Sequence, residues 1–357
     1  MLLCSSDFEL CFLYKSVLTV LSDLTIRGGS IKISSSMKAL VTGATGFIGS
    51  HLTSELIKSG YDVTCLLRRS SSLRWIDALD VKKAYGDCLD RDSLYDALGG
   101  FDYIFHLAGL TKAASVKDFY EVNVKGTENL LGAVIAKNPG VKRFIYISSL
   151  AAAGPSANGM PLSEVSKPHP VSDYGKSKLE AEYKVLNLRE RLPVTIIRPP
   201  AVYGPRDKDF LVFFKFIKKG IFPSFGNGRY SMIYVEDLVR GIIESSRSSE
   251  CAGEVFFLSD KNIYSNRDIA DAISSALGKK PYKIRIPRIF LSLIFGITGK
   301  LGKKTGIINI DKMKEIIHPH WVCDSSAARQ RFGFAPAASL KEGIKWTADW
   351  YRIHRWL

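Results

Sequence analysis

Tyr174 and Lys178, in the run Tyr174-Gly175-Lys176-Ser177-Lys178, stand four residues apart at the opening of a long helical pattern. That spacing puts a phenol and an ammonium on one helix face, where they could move a proton. A phenol titrates at about 10, so serving as a base near neutral pH needs a shift of roughly 3 units, or about 4 kcal/mol of preferential stabilisation of the phenolate. A neighbouring ammonium supplies part of that. Twenty-five residues upstream, Ser149 ends the apolar run Phe144-Ile145-Tyr146-Ile147-Ser148-Ser149. A hydroxyl at the carboxyl end of a strand can hydrogen-bond a substrate oxygen while Tyr174 exchanges its proton. Taken singly, each feature also has a plain structural reading, an amphipathic helix with adjacent Tyr and Lys, and a capping serine.

These residues need a scaffold, and the stretch Lys38-Ala39-Leu40-Val41-Thr42-Gly43-Ala44-Thr45-Gly46-Phe47-Ile48-Gly49 begins one. It reads as a strand, a tight turn and a helix N-terminus, where backbone N–H groups and the helix dipole hold a pyrophosphate. Gly43 can take a turn conformation closed to other residues, Gly46 admits the cofactor to the backbone, and Gly49 lets the helix pack closely on the sheet. The positive charge of a bound oxidised nicotinamide would add to that of Lys178 in favouring the phenolate.

From Lys38 strands and helices alternate, which predicts a doubly wound α/β fold of the Rossmann type, a parallel sheet with helices on both faces. Strands are expected at 38–42, 62–68, 83–86, 103–107, 143–148 and 194–198, and helices at 48–59, 93–98, 119–137 and 171–190. After Pro200 the pattern loosens into helices at 210–219, 235–246, 266–277 (with Asn266 as cap), 287–301 and 340–351 and a strand at 255–258. We therefore expect residues 37–200 to bind a dinucleotide and residues 201–357 to form mostly a smaller substrate-binding lobe. Residues 1–36 do not fit this pattern and read as an N-terminal extension ahead of Met37, without the features of a signal peptide.

The chain has 357 residues and a formal charge of +15, which favours anionic partners. Its basic residues are scattered and carry no nucleic-acid signature. Six dispersed cysteines (Cys4, Cys11, Cys65, Cys88, Cys251, Cys323) form neither a CxxC pair nor a metal-ligand set, so reduced thiols in the cytoplasm and no metal are expected. His318 and His320 around Pro319 read as structural.

Several further motifs occur in one order with these: His106-Leu107-Ala108-Gly109, Asn123 in Val122-Asn123-Val124-Lys125-Gly126-Thr127, and Arg198-Pro199-Pro200-Ala201-Val202-Tyr203-Gly204-Pro205. The set resembles the extended short-chain dehydrogenase/reductase superfamily, from Lys38 nearly to the C-terminus. The resemblance implies that Gly43, Gly46 and Gly49, with Phe47 and Ile48, contact the pyrophosphate, that Asp87 hydrogen-bonds the adenine, and that Leu107, Ala108 and Gly109 line the cofactor. It makes Tyr174 the acid/base, Ser149 the carbonyl-polarising donor, Lys178 also a ligand of the nicotinamide ribose, and Pro199 a neighbour of the nicotinamide. Asn123 would hold the central helix in shape, and a homodimer would form through the Asn123 and Tyr174 helices.

An NAD enzyme of this fold carries a carboxylate at the end of the second strand. Here Leu67 takes that place, followed by Arg68 and Arg69. A guanidinium fork suits a 2'-phosphate, so NADP(H) is the expected cofactor, Arg68 its contact and NAD(H) the alternative. Leu150-Ala151-Ala152-Ala153 after Ser149 cannot move a proton, which disfavours a sugar-nucleotide dehydratase. Ala201 stands where related epimerases resemble one another in having asparagine, and Tyr230-Ser231-Met232 replaces a common Arg-Asp-Phe. Apolar clusters at 210–217 and 289–297, the second with basic neighbours like an interfacial helix, point to an apolar substrate and a peripheral membrane contact. The chain thus looks like the branch containing 3β-hydroxysteroid dehydrogenases and dihydroflavonol reductases. The first reading is hydride transfer between NADP(H) and an apolar secondary alcohol or ketone. The second is a nucleotide-sugar epimerase with tightly bound cofactor. The third is a non-catalytic dinucleotide-binding protein, which would need none of Ser149, Tyr174 and Lys178.

Overall fold

Strand β1 (Lys38–Thr42) shows why the central sheet is buried on both sides. Its alternate side chains enter different cores, Ala39 and Val41 one, Leu40 the other. The same alternation divides Ile145 and Ile147 from Phe144 and Tyr146 in the fifth strand, as expected where helices cover both faces. The computed structural model describes residues 36–224, 226–285 and 310–357. The expected extension before residue 36 and the expected helix at 287–301 lie outside them.

Strands β2 (Asp62–Leu67), β3 (Lys82–Tyr85), β4 (Tyr103–His106), β5 (Arg143–Ile147) and β6 (Val194–Arg198) follow the predicted series. After them come β7 (Ala201–Tyr203), β8 (Ile221–Ser224), β9 (Arg229–Tyr234), β10 (Glu254–Phe257), β11 (Ile263–Ser265), β12 (Tyr282–Arg285) and β13 (His320–Trp321). Seven of these form one parallel sheet in the order β3-β2-β1-β4-β5-β6-β10. Its order reverses between β1 and β4, the crevice where open α/β sheets bind ligands. The later strands make two small sheets, β11-β9-β13 with β7 also on β9, and β12-β8.

The helices are α1 (Phe47–Lys58), α2 (Arg91–Ala97), α3 (Val116–Phe119), α4 (Gly126–Lys137), α5 (Leu150–Ala153), α6 (Asp173–Leu186), α7 (Leu211–Lys218), α8 (Val235–Arg247), α9 (Asn266–Leu277), α10 (Ile310–Ile316), α11 (Ser326–Phe332) and α12 (Leu340–Ile353). A π-helical turn, Tyr120–Lys125, joins α3 to α4. Asn266 is not the cap of α9. Ser265 is, closing a capping box with Asp268, because its hydroxyl is the one that reaches the third N–H of the helix.

Residues Met37–Leu357 form one compact unit. Helix α12 closes it, with Tyr351 packed edge-on against Phe214 at 5.2 Å and donating to the Asp207 carbonyl at 2.6 Å. Among the described residues no helix is long and apolar enough to cross a membrane.

Candidate active site

The turn after β1 is shaped by what a side chain would strike. Gly43 has φ +69°, and a Cβ there would lie 2.7 Å from the Ala108 nitrogen. On Gly49 a Cβ would lie 2.1 Å from the Gly43 carbonyl oxygen, so α1 sits directly against the turn. Gly46 is the N-cap of α1 and offers no side-chain cap, leaving the first N–H groups of a twelve-residue helix to a ligand.

A directed chain of hydrogen bonds lies beneath. Thr42 Oγ1 accepts from Ala108 N–H at 3.1 Å and donates to His106 Nδ1 at 2.7 Å. His106 Nε2 reaches Thr127 Oγ1 at 2.9 Å, and Thr127 donates to the Asn123 carbonyl at 2.7 Å. Because Thr127 gives its proton to Asn123, His106 must carry its own on Nε2. Burial pushes this imidazole down to about 3, which keeps it neutral. Asn123, in the π turn, binds Leu110 twice, accepting from its N–H at 2.7 Å and donating to its carbonyl at 3.0 Å, and donates to Ser177 Oγ at 2.9 Å. Its hold on the helix of Tyr174 is therefore direct.

Helix α6 carries Tyr174 and Lys178, and a buried ion pair fixes it to the sheet. Arg198 at the end of β6 donates to Glu182 through Nε at 2.9 Å and Nη2 at 2.6 Å. Lys178, only 5% exposed, donates to the Ile147 carbonyl at 2.7 Å and lies over the Tyr146 ring at 4.2 Å. Burial pushes its ammonium down to about 7, against the pull of Glu182. The Tyr174 phenol hydrogen-bonds Ser149, which lowers its affinity for the proton, but burial above all and Glu315 push it the other way, so it stays well above its ordinary value. Of the two charges expected to lower the phenol, Lys178 by itself does not offset the desolvation of the ring, and the other is that of a bound oxidised nicotinamide.

A cleft of about 500 Å³ joins these parts, lined among others by Gly43, Gly46, Phe47, Ile48, Gly49, Leu107, Gly109, Tyr174 and Lys178. Ser149 caps α5, accepting from Ala151 N–H at 3.1 Å, and reaches the site through Tyr174. Ala108 and Pro199 are structural neighbours: Ala108 binds Thr42, and the Pro199 carbonyl accepts from Leu150 N–H at 2.8 Å. Asp87 lies beyond β3, its carboxylate accepting from Leu89 N–H at 2.9 Å. Arg68 is exposed at the carboxyl end of β2, while Arg69 stacks on Tyr85 at 5.5 Å. The expected apolar cluster at 210–217 is mainly core, since Phe214 and Ile217 are fully buried; of the apolar side chains of α7, Val212 and Phe216 remain exposed.

Sequence reasoning missed several lining residues, among them Trp75, Lys112, Arg206 and Asp209. Lys112 and Asp209 pair at 2.5 Å at the edge of the cleft. Arg206 has φ +73°, follows Pro205 whose carbonyl contacts His51 Nε2 at 2.9 Å, and lies over the Trp75 ring at 5.3 Å. Its Nη1 is buried with no hydrogen-bond partner among the described residues. The signal was present as Arg206 directly after Tyr203-Gly204-Pro205, yet nothing local ties it to a turn 160 residues earlier. The glycine cradle, the open end of α1 and this unpaired guanidinium nitrogen together fit a dinucleotide's diphosphate, and Tyr174 with Lys178 stands at the same cleft.

Residues 39–256 match the NAD-dependent epimerase/dehydratase family. The ceramide reductase of Caulobacter vibrioides is 30% identical, covering 89% of this chain and 95% of its own. The UDP-glucose 4-epimerase of Vibrio cholerae is 31% identical over 87% and 94%. The crystal structure of UDP-glucose 4-epimerase from Thermotoga maritima superposes with a TM-score of 0.74 at 25% identity, covering 89% of this chain and all of that one. The chain belongs to the NAD-dependent epimerase/dehydratase family and is an enzyme of the extended short-chain dehydrogenase/reductase superfamily.

Proposed function

We propose that this enzyme transfers hydride between NADP(H) and an apolar, lipid-like secondary alcohol or ketone. The observation that carries the reading is a register. Ala201 on β7 lies beside Met232 on β9, and Ala201 and, two residues before Met232, Tyr230 hold the positions where epimerases of the family have asparagine and arginine, so neither an amide nor a guanidinium is offered to a diphosphate there. The intervening Ser231 is buried and engaged with the Cys323 backbone, donating at 3.2 Å and accepting at 3.0 Å. Two hydrogen bonds to a charged diphosphate are each worth about 1.5–3 kcal/mol, which a nucleotide sugar would forgo. The ceramide reductase relative, whose name denotes a lipid substrate, agrees with this.

The chain's own groups suit the reductive direction. A nicotinamide bound in the cleft would supply the hydride. Tyr174, held neutral, is the acid that protonates the developing alkoxide, and Ser149, which accepts from Ala151 N–H with one lone pair, keeps its own proton to donate to the same oxygen. Lys178, its ammonium lowered to about 7 by burial, stands one helical turn away on the same cleft, where it would hold the nicotinamide ribose. The preference for the 2'-phosphate rests on the exposed Arg68 after a strand that ends in Leu67 rather than a carboxylate.

A stoichiometric loss of NADPH absorbance with hydrophobic ketones, and none with UDP-sugars, supports the reading. Co-purified dinucleotide with interconversion of UDP-glucose and UDP-galactose and no net cofactor turnover would establish the epimerase instead.

A peripheral membrane contact belongs to the same reading. Ile221 and Tyr282 are register partners on β8 and β12 and, like Ile284, are exposed. Residues 211–224 and 278–285 hold six lysines and one arginine and no acidic residue. Sedimentation with phosphatidylserine vesicles but not neutral ones would support that contact. A homodimer through α4 and α6, with Tyr183 exposed on α6, is tested by light scattering.

A further inference from the structure

We propose that α10 is an external cap on the catalytic helix, and that Asp311 and Glu315 are positioning residues for Tyr174. A helix leaves its first N–H groups without intrahelical partners, and the residue that caps it normally lies within its own first turn. Helix α6 departs from this. Ser172 takes the Gly175 N–H at 2.9 Å, but the N–H groups of Asp173 and of Tyr174 itself go to the two oxygens of Asp311, at 2.6 and 2.9 Å, from a residue 137 positions beyond Tyr174. Ser172 in turn donates to Glu315 Oε1 at 2.8 Å. Both carboxylates are nearly buried, at 8% and 7% exposure.

The clamp is braced on its far side. Lys312 holds Glu315 Oε2 at 2.6 Å, Trp321 donates to the Glu315 carbonyl at 3.0 Å, and Lys314 reaches Asp173 at 2.7 Å. The backbone of Tyr174 is therefore set by a segment distant in sequence, and two negative charges stand at the positive end of its helix. The groups that act on the phenol are Glu315 from α10 and the uncharged Ser149, with Tyr146 of β5 coupled to it, the Phe119 ring 6.0 Å away and Lys178 on the same cleft. Of these, Glu315 acts on the phenol by holding its proton on.

The inference deepens the proposed role of Tyr174, and its test needs no substrate. Protein labelled with trifluorotyrosine is titrated by 19F NMR, the Tyr174 resonance being the one missing in Tyr174→Phe, and NADPH affinity and thermal unfolding are measured alongside. In Glu315→Gln the Tyr174 midpoint falls by about half a pH unit or more, with the other tyrosines and NADPH affinity unchanged. In Asp311→Ala the amides of Asp173 and Tyr174 exchange with solvent at least about tenfold faster, and Asp311→Asn, which keeps one acceptor, recovers part of that protection. An unmoved Tyr174 midpoint in Glu315→Gln, or equal amide exchange in Asp311→Ala and wild type, overturns the proposal. Should Asp311→Ala not fold, the isosteric Glu315→Gln still decides. Failure of the reductase reading would appear as absent ketone turnover with this titration unaffected.

Discussion

The two ends of the cleft are held in different ways. At the nucleotide end the constraint is backbone against backbone, with Gly43 at φ +69° and no room for a Cβ on Gly49 beside the Gly43 carbonyl. At the other end it is made by side chains from elsewhere in the chain, Arg198 on the Glu182 side chain and Asp311 on the first amides of α6. A backbone constraint is met or broken, since peptide atoms cannot step aside. Side-chain constraints can be weakened by degrees, and so they tune where the backbone can only permit.

The sharpest way to break this comparison is at Tyr174. Tyr174→Phe is expected to lower turnover by about 10²–10⁴-fold while leaving NADPH affinity intact, as the proton-transfer end is lost and the nucleotide end is not. Equal turnover in steady-state assays would remove Tyr174 from its proposed role. Next in size is Glu182→Ala, which strands Arg198 in the core; the expected loss is about 3–5 kcal/mol in denaturant unfolding. Gly49→Ala should cost about 1–3 kcal/mol and abolish NADPH binding together, because α1 must move off the turn. Retained affinity by calorimetry would show that the turn tolerates more than its geometry allows.

Smaller effects sharpen the contrast. Arg68→Ser should reduce the preference for NADP(H) over NAD(H) by about 10- to 150-fold, the worth of a hydrogen bond to a charged group, read from the ratio of kcat/KM values. The smallest effect concerns Lys178, whose folded value is lowered to about 7 from an ordinary 10.5. Between those values the unfolded chain binds the extra proton, so stability rises with pH through the window and the cost of burial is fully present below it. Lys178→Met should flatten the pH dependence of unfolding between about pH 7 and 9, by up to about 1 kcal/mol per pH unit.

Where sequence reasoning succeeded, it used signals that are local. The three glycines, the alternation of strand and helix, and the four-residue spacing of Tyr174 and Lys178 each depend on neighbours within one or two turns, and the structure brings all of them to one cleft. It was less successful where a local pattern fits two environments. The aromatic run at 210–217 looks like a binding surface, yet Phe214 and Ile217 are core, Phe214 beneath Tyr351 of α12. A lowered phenol was expected for Tyr174 from Lys178 and the charge of a bound oxidised nicotinamide together. Burial, which is not written in any four-residue spacing, acts on the protein's own groups in the opposite sense, raising the phenol and lowering the ammonium.

By itself the sequence determined the parallel Rossmann sheet, the glycine turn after its first strand and the placing of Tyr174 and Lys178 on one helix face, since these follow from periodicity, glycine stereochemistry and helical spacing. Tertiary structure alone decided which carboxylates close the catalytic helix, that His106 is held neutral between two threonines, and that Arg206 keeps a guanidinium nitrogen unpaired at the cleft. Such pairings join residues tens to more than a hundred positions apart, and only the packed chain sets the distance between them.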